Sequence, residues 1–267
     1  PEPARPAPAL LAQVKAVVAK SASRAVVLNA SDRHCVAMAS DLRRGVEVLY
    51  FAQDADNPVL LRHIESGGRA VYVHDNVMVL ANGARHEALL DVRAMPFSLR
   101  GLARYNIENA LAAAAALVAA GFSNDEVAAG LGSFVSDGKH NPLRSNVFDV
   151  EGVTVIVDYA HNCAAYTALA GMARALTAGR VVGVVSAPGD RRDEDLVHTG
   201  RVCAAGFDDL VIYESCNRGR ALGDTARLIA QGARDDGFGG RLHCKLDVHE
   251  AIRCGLTMCK PGDVLVF

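Results

Sequence analysis

The chain has 267 residues, of which 51% are hydrophobic and 22% are charged, and this composition fits one large or two ordinary globular domains. A formal net charge of −2 gives no global basic field, so we expect neither nucleic acid nor an anionic membrane as a partner. No apolar run is long enough to span a bilayer and the N-terminus has no signal pattern, so we expect a cytoplasmic protein.

The first half of the chain reads as short helices and strands in mixed order. Residues 1–9 hold four prolines and are expected to be extended and mobile. Asp75-Asn76 and Asn82-Gly83 have the composition of hairpin turns, and Ser123 with Glu126 forms a capping-box pattern that predicts a helix start. The expected strands are 24–29, 46–51, 69–73, 77–80 and 87–91, and the expected helices are 10–20, 34–40, 59–65 and 106–120.

The second half alternates regularly between strands and helices after a polar segment, 136–145, that we interpret as a linker. Strands separated by helices of this length require parallel pairing, which predicts a doubly wound, Rossmann-like α/β domain. We therefore divide the chain into domains 1–140 and 141–267. The expected strands are 153–157, 181–186, 210–213, 242–246 and 264–267, and the expected helices are 164–176, 193–206, 222–234 and 248–258.

A polar cluster directly follows the first strand of this second domain. Asp158, His161 and Asn162 stand where an open α/β sheet binds its ligands, beyond the carboxyl end of a strand. A helix N-cap with a few polar loop residues explains the same pattern. Cys163 is a conceivable thiol nucleophile, but no surrounding motif supports it.

A second cluster, 189–192, follows the next strand. Its glycine and the guanidiniums of Arg191 and Arg192 near a helix start favour binding of phosphate or carboxylate. Acidic residues in that first helical turn also suit a well-capped helix, which is the alternative. Arg218 and Arg220 are a second, weaker candidate for binding an anion.

Two asparagines and several missing motifs also bear on the function. Asn106 and Asn109 lie on one helical face and could read an adenine edge, although a pair of capping residues explains their spacing better. The chain has no G-x-x-x-x-G-K-[ST] phosphate loop, and the missing G-x-G-x-x-G counts against a dinucleotide-binding oxidoreductase. Seven cysteines without C-x-x-C, and histidines without paired spacing, favour reduced thiols and no metal site built from this chain alone.

Several of these stretches together resemble the Mur ligase family. They are Leu-Asn-Ala-Ser-Asp at 28–32, Tyr-Asn-Ile-Glu-Asn-Ala-Leu-Ala-Ala at 105–113, Asn-Pro-Leu-Arg-Ser-Asn-Val-Phe at 141–148 and Asp-Tyr-Ala-His-Asn at 158–162. Segments 189–195 and 217–220 make the chain most similar to the C-terminal, Mur-ligase-like half of the cyanophycin synthetases. The resemblance implies part of an ATPase-type central α/β domain over 1–140, followed by a Rossmann-like Mur ligase C-terminal domain.

The resemblance also implies a function and a set of roles. These enzymes use ATP and Mg²⁺ to join an amino acid to a carboxylate through an acyl phosphate, and in the cyanophycin branch arginine is added to an Asp-rich polymer. Asn109 and, less surely, Asn106 would contact adenine, Arg144 the nucleotide, and Asp158 and His161 the nucleotide and the incoming amino acid. The implied substrate-binding residues are Asp190, Arg191, Arg192 and Arg218, with Glu214, Asp190 or Asp193 as alternatives for contacting a guanidinium.

The chain departs from the family pattern in ways that leave alternatives open. The phosphate loop and most Mg²⁺ ligands would lie upstream of residue 1, so we do not expect this chain to activate a carboxylate alone. Ser31 replaces an expected acid, Leu143 an expected glycine and Cys163 an expected proline. Two alternative functions remain open. The chain could be a non-catalytic binding or regulatory remnant that docks on an intact ligase, or part of a Mur or folylpolyglutamate-type ligase with another substrate. A homo-oligomer also remains open.

Overall fold

The computed structural model describes residues 8–214 and 216–267, and the chain forms two compact units. The first unit ends at Phe134 and the second runs from Val135 to Phe267. Most of the segment predicted to be extended, 1–7, lies outside the described residues. Pro8 and Ala9 were placed in that segment wrongly, because they form the first turn of a helix, where a proline needs no amide hydrogen-bond partner.

The first unit is a mixed five-stranded sheet with helices on both faces. Strands β1 to β3 are parallel, whereas β3, β4 and β5 are successively antiparallel, in the spatial order β1-β2-β3-β4-β5. The strands are β1 Ala25–Asn29, β2 Glu47–Ala52, β3 Arg69–His74, β4 Val77–Asn82 and β5 Arg85–Asp91, and the helices are α1 Pro8–Ser21, α2 Arg33–Met38, α3 Pro58–Glu65, α4 Arg104–Ala120 and α5 Asn124–Ser133.

Local sequence signals explain where several of these elements begin and end. The capping box is present, with the Ser123 hydroxyl and the Glu126 carboxylate each bonded to the other's backbone amide. Asp75 and Asn76 both adopt positive φ, as a two-residue hairpin turn requires, and Gly121 closes α4 at φ 99°. One core lies between the sheet and α4 with α5, and a second core lies on the opposite face.

The second unit is a six-stranded sheet in the order β10-β9-β8-β11-β7-β6. All of its pairs are parallel except the edge pair of β6 with β7. Its strands are β6 Asn146–Val150, β7 Val153–Val157, β8 Val181–Val185, β9 Asp209–Ile212, β10 Leu242–Cys244 and β11 Val264–Val266. Its helices are α6 Cys163–Leu176, α7 Asp193–Gly206, α8 Asp224–Asp235 and α9 Val248–Met258.

The strand order confirms the predicted doubly wound architecture. The connections through α6, α7 and α8 all step from β7 towards β10, whereas the connection through α9 steps back to β11. Because parallel crossovers are right-handed, α9 covers the face opposite to the other three helices. Of the described helices, none has the length and apolar character needed to cross a membrane.

Three features of the second unit differ from the sequence prediction. Strand β6 was missed because four of its five residues are exposed, so it lacks a hydrophobic alternation. Helix α8 begins at Asp224 rather than at residue 222, because Leu222 is exposed in a preceding turn. The segment read as a linker, 136–145, is ordered by its own side chains, including a hydrogen bond from Ser136 Oγ to the Arg144 carbonyl of 2.7 Å.

Candidate active site on the second unit

Three loops at the carboxyl ends of neighbouring strands form the candidate site. They follow β7, β8 and β9 and contain 158–162, 186–192 and 213–223, with Ser215 outside the described residues. Parallel strands bring these ends to the same edge of the sheet, which is where open α/β sheets bind ligands. The polar clusters identified in the sequence therefore lie on one edge of one sheet.

Asp158 is held at the end of β7 by a serine from the segment before β6. Its Oδ2 accepts hydrogen bonds from the Ser145 amide at 2.9 Å and the Ser145 hydroxyl at 2.8 Å. Burial raises the pKa of the Asp158 carboxyl, while those hydrogen bonds and the charges of Arg144 and His161 oppose the rise. Its other oxygen has no bonding partner among the described residues, so it can accept a ligand donor.

The segment that supplies Ser145 has a strained backbone. Leu143 and Ser145 have φ of 60° and 50°, in the left-handed region that favours glycine, which explains why a glycine is expected at 143. The buried Asn146 side chain stabilises the turn by accepting from the Leu143 amide and donating to the Asn141 carbonyl. Arg144, between the strained residues, is exposed and projects a positive charge near Asp158.

His161 has its tautomer set by the backbone. Its Nδ1 lies 2.9 Å from the Tyr159 carbonyl oxygen, and a carbonyl only accepts, so Nδ1 carries the hydrogen. The lone pair of the neutral ring is therefore on Nε2. The capping interpretation of this cluster holds for Asn162 alone, whose side chain accepts from the Ala165 amide to start α6.

The cations and acids of the other two loops are largely paired with each other. Arg218 donates to Asp190 at 2.8 Å, which lowers the pKa of that carboxyl, and both side chains are about half exposed. Arg192 pairs with Glu194 and with Asp195 in the first turn of α7. Of the two neighbouring arginines, Arg191 therefore has the guanidinium that is more open to a ligand.

Arg220 joins the loops after β8 and β9, a role that the sequence analysis missed. It donates to the carbonyls of Gly189 at 2.8 Å and Arg191 at 2.7 Å, and to Asp193 at 2.7 Å. A Cβ on Gly189 would lie 2.1 Å from the Asn217 carbonyl oxygen, so only glycine permits this contact. The two arginines of 218–220 thus have different roles. Arg220 holds the two loops together through its hydrogen bonds, whereas Arg218 forms an exposed pair with Asp190.

Glu214 also has a structural role that was not predicted. Its carboxylate accepts from the amides of Gly223 and Ala226, both at 3.0 Å, and so satisfies the start of α8. Asp190 and Asp193 are themselves paired with arginines. All three acids proposed to contact a guanidinium are therefore already bonded within the chain. Cys163 lies on α6 with its sulfur 3.5 Å from the Thr199 hydroxyl.

The two asparagines predicted to contact adenine lie on the first unit, at the start of α4. Asn106 donates to the Phe97 carbonyl at 2.8 Å, whereas Asn109 is exposed. The interpretation as capping residues was wrong, because the N-cap of α4 is Ala103, which makes no side-chain cap. Asn29, at the end of β1, donates to Glu108 of the same helix at 2.7 Å.

The described residues do not fit a complete divalent cation site. Within 8–214 and 216–267, no group of three or more His, Cys, Asp or Glu side chains is placed to hold a metal ion. Mg²⁺ prefers an octahedral shell of oxygens, and Asp158 offers one available carboxylate oxygen. Any Mg²⁺ would therefore need ligands from a nucleotide or from another segment.

A domain match covers the second unit. Residues 143–267 match the family described as Mur ligase, glutamate ligase domain, and this region coincides with the doubly wound unit that carries Asp158. Residues 143–267 are therefore similar to the glutamate ligase domain of the Mur ligases. The resemblance predicted from the sequence motifs is thereby confirmed.

The curated relatives of the chain include cyanophycin synthetases. The chain is 34% identical over 259 residues to the enzyme of Trichormus variabilis and 33% identical over 261 residues to that of Synechocystis sp.. These matches cover 96% of this chain but 28% and 30% of the relatives, so the chain spans less than a third of their length.

Solved structures show that the fold is shared more widely. Folylpolyglutamate synthase of Mycobacterium tuberculosis, complexed with ADP, is 18% identical, with a TM-score of 0.66 over 99% of this chain and 57% of that one. At this identity the likeness concerns the fold alone, and it agrees with the predicted α/β class for both units.

Proposed function

We propose that this chain is part of an ATP-dependent ligase that forms an amide bond between an amino acid and a carboxylate. The observation that carries the proposal is the Asp158 site. A part-buried carboxylate, oriented by Ser145 and flanked by Arg144 and His161, lies at the ligand-binding edge of the domain that matches the Mur ligases.

The proposed reaction has two steps. The acceptor carboxylate attacks the γ-phosphorus of ATP and ADP leaves, which gives an acyl phosphate. The amine nitrogen of the incoming amino acid then attacks the acyl carbon, phosphate leaves with the electrons of the broken C–O bond, and the nitrogen loses one proton. Since charge develops on oxygen in both steps, nearby cations stabilise both transition states.

Each site residue has a proposed part in these steps. The exposed Arg144 guanidinium contacts a nucleotide phosphate, and the free oxygen of Asp158 accepts from an N–H of the attacking amine or would hold a Mg²⁺ that the nucleotide carries. With Nδ1 donating to the Tyr159 carbonyl, Nε2 carries the lone pair whenever the His161 ring is neutral, so it is the proposed acceptor of the proton that the amine loses. Asn109 is the better placed of the two asparagines for an adenine contact, because the Asn106 amide group already donates to Phe97.

The proposed substrates are arginine and an acidic, Asp-rich acceptor. Sequence similarity to cyanophycin synthetases over 96% of the chain supports this choice. The acids near the site support a cationic amino acid, since Asp190 forms an exposed pair with Arg218 that a guanidinium ligand could replace, and Asp193 is itself 67% exposed. Because the sequence has no phosphate loop, we propose that the chain acts only with a segment that supplies one.

A chimaera tests the proposal. This chain would replace the matched segment of the Trichormus variabilis cyanophycin synthetase, and ADP release would be measured with arginine and an acidic acceptor peptide. We expect ADP release to require both substrates, Arg144→Ala to raise KM for ATP about tenfold, and Asp158→Asn to lower turnover about 100-fold. Arg201→Gln, half exposed on α7 and away from the three loops, is the matched control and should change neither value.

The outcomes separate the competing functions. ADP release that prefers another amino acid would keep the ligase and overturn arginine as the substrate. A chimaera that folds with unchanged thermal stability but releases no ADP would point to a non-catalytic relative. Calorimetry of ATP with this chain alone adds an independent check, because binding that Arg144→Ala leaves unchanged would remove the role assigned to Arg144.

A further inference from the structure

The second unit carries a cavity at the edge of its sheet opposite to the candidate active site. The cavity has a volume of about 590 Å³ and lies at the amino ends of β8, β9 and β11. Strand β8 is five residues long, so the two edges are roughly 17 Å apart. We call it the amino-edge cavity, and a small ligand in it would not reach Asp158. The side chains that define it are Arg174, Arg180, Asp208, Arg241, Lys260 and Asp263.

The carboxylates of this region face the backbone. Asp208 accepts from the Val181 amide at 2.7 Å and from the Arg174 guanidinium at 2.8 Å. Asp263 accepts from the amides of Arg180 and Lys260, both at 2.8 Å. Asp209 lies behind the cavity wall with a fully buried side chain and accepts from the Arg241 amide at 2.7 Å. These acids therefore organise the starts of the strands and are poorly placed to bind a cation in the cavity.

The guanidiniums, in contrast, remain accessible. The side chains of Arg174, Arg180 and Arg241 are 45%, 50% and 48% exposed. Arg180 and Arg241 share the carboxylate of Asp209, each at 2.7 Å. Across the whole cluster, three arginines and Lys260 face the carboxylates of Asp208, Asp209 and Asp263, which leaves one net positive charge. The Lys260 ammonium is exposed and has no ion-pair partner in the part of the chain that the structure describes.

We propose that the amino-edge cavity binds a small compound with two or more oxyanion groups, either phosphates or carboxylates. The geometry favours this class because guanidiniums anchored on one side by Asp209 present their other N–H groups in a fixed orientation. Planar, preoriented guanidiniums suit oxyanions, which they bind through paired charge-assisted hydrogen bonds. The volume accommodates a pyrophosphate or a dicarboxylate with its water.

Calorimetry on the whole chain at low salt tests the proposal, because salt screens such interactions. The probes are pyrophosphate and malonate, which separate the phosphate source of the ligand chemistry from the carboxylate source. We expect at least one probe to bind, and Lys260→Gln to weaken it about fivefold without affecting folding, since Lys260 has no partner to lose. Arg180→Gln should weaken binding about tenfold or more, with thermal unfolding measured in parallel.

Two controls locate the binding. Arg201→Gln, on α7 and outside the cavity, should leave the affinity unchanged. Arg191→Gln, at the opposite edge of the sheet, should also leave it unchanged. The absence of binding by both probes at millimolar concentration would overturn the proposal. So would affinity that falls with Arg191→Gln but not with Lys260→Gln, since the oxyanion would then lie in the candidate active site.

Discussion

The two edges of the second unit's sheet use charged residues in opposite ways. At the amino edge, the carboxylate of Asp209 is fully buried and bonded to Arg241 and Arg180. At the carboxyl edge, the pair of Asp190 with Arg218 leaves both side chains 47% exposed. Buried charge that loses a partner destabilises a fold by about 3–5 kcal/mol, whereas an exposed pair contributes about 0–1 kcal/mol.

The difference indicates at which edge of the sheet a ligand can replace one member of an ion pair. An exposed ion pair is readily replaced by a ligand of matching charge, because little stability depends on it. A buried carboxylate bonded to strand amides does not open without disturbing the sheet. The carboxyl edge is therefore suited to substrates, and the amino edge keeps the strands in register.

The largest expected effect comes from removing the buried charge at the amino edge. Asp209→Asn replaces the buried carboxylate with a neutral amide, which weakens the charge-assisted hydrogen bonds from Arg180 and Arg241, and should lower the free energy of unfolding by about 3 kcal/mol. Urea unfolding at pH 7 measures it. Asp236→Asn, whose side chain is 52% exposed and 3.8 Å from Arg201, is the control and should have no clear effect. Equal effects for the two variants would remove the proposed contrast between the edges.

The same residue has a pH signature. Burial acts to raise the pKa of Asp209, but hydrogen bonds from Arg241 and the charges of Arg180 and Arg241 outweigh it, so the pKa is lowered. A lowered pKa contributes stability above the ordinary value of 3.8 that is lost as the pH falls through the folded pKa. Wild-type stability should therefore fall in this acid range more steeply than that of Asp209→Asn.

A smaller effect is expected from the arginine that joins the carboxyl-edge loops. Arg220→Gln removes hydrogen bonds to two carbonyls and one carboxylate, from a side chain only 17% exposed, and should destabilise by about 1–3 kcal/mol. Urea unfolding again gives the value. Arg227→Gln, a 60% exposed arginine paired within α8, is the matched control, and comparable losses would contradict the scaffold role of Arg220.

Asp158 should affect turnover far more than stability. Burial raises the pKa of its carboxyl, so the protonated form favours folding and that contribution is lost as the pH rises from 3.8 through the folded pKa. Asp158→Asn has no carboxyl group to ionise, so it does not lose this contribution. We expect its free energy of unfolding at pH 7 to lie between that of the wild type and a value about 1 kcal/mol higher. Thermal unfolding between pH 4 and pH 7 checks the sign, and a strongly destabilised variant would show a purely structural role.

The smallest effect on folding is expected at the exposed pair. Asp190→Asn and Arg218→Gln, alone and together, should leave the unfolding transition unchanged, because solvent already hydrates both groups. In the chimaera described above, the same variants should change KM for arginine. A double-mutant cycle in unfolding that gives a clear coupling energy would show that this pair belongs to the scaffold.

Much of the fold could be predicted because its signals are local. The capping box at Ser123 and the turn at Asp75-Asn76 act within a few residues, and the buried strands of the second unit read as continuous apolar runs. Strand β6 was missed because it is an edge strand with exposed side chains on both faces, which gives no hydrophobic period.

The site was predicted in part for the same reason. Asp158, His161 and Arg144 occur in compact motifs, whereas the bonds of Arg220 to Gly189 and Arg191 span about thirty residues and leave no local trace. Glu214 illustrates a second difficulty, since its carboxylate stabilises a helix start that lies nine residues further along the chain. The adjacent acids Asp208 and Asp209, at the start of a buried strand, are a signal that could have indicated the amino-edge cluster.

The position of β11 also has a consequence for synthesis of the protein. Residues 264–266 pair with both β7 and β8, which are joined through α6 and end at positions 157 and 185. Until these residues leave the ribosome, the apolar strands β7 and β8 lack the strand that pairs between them. Such delayed closure leaves apolar strands of the nascent chain exposed to aggregation.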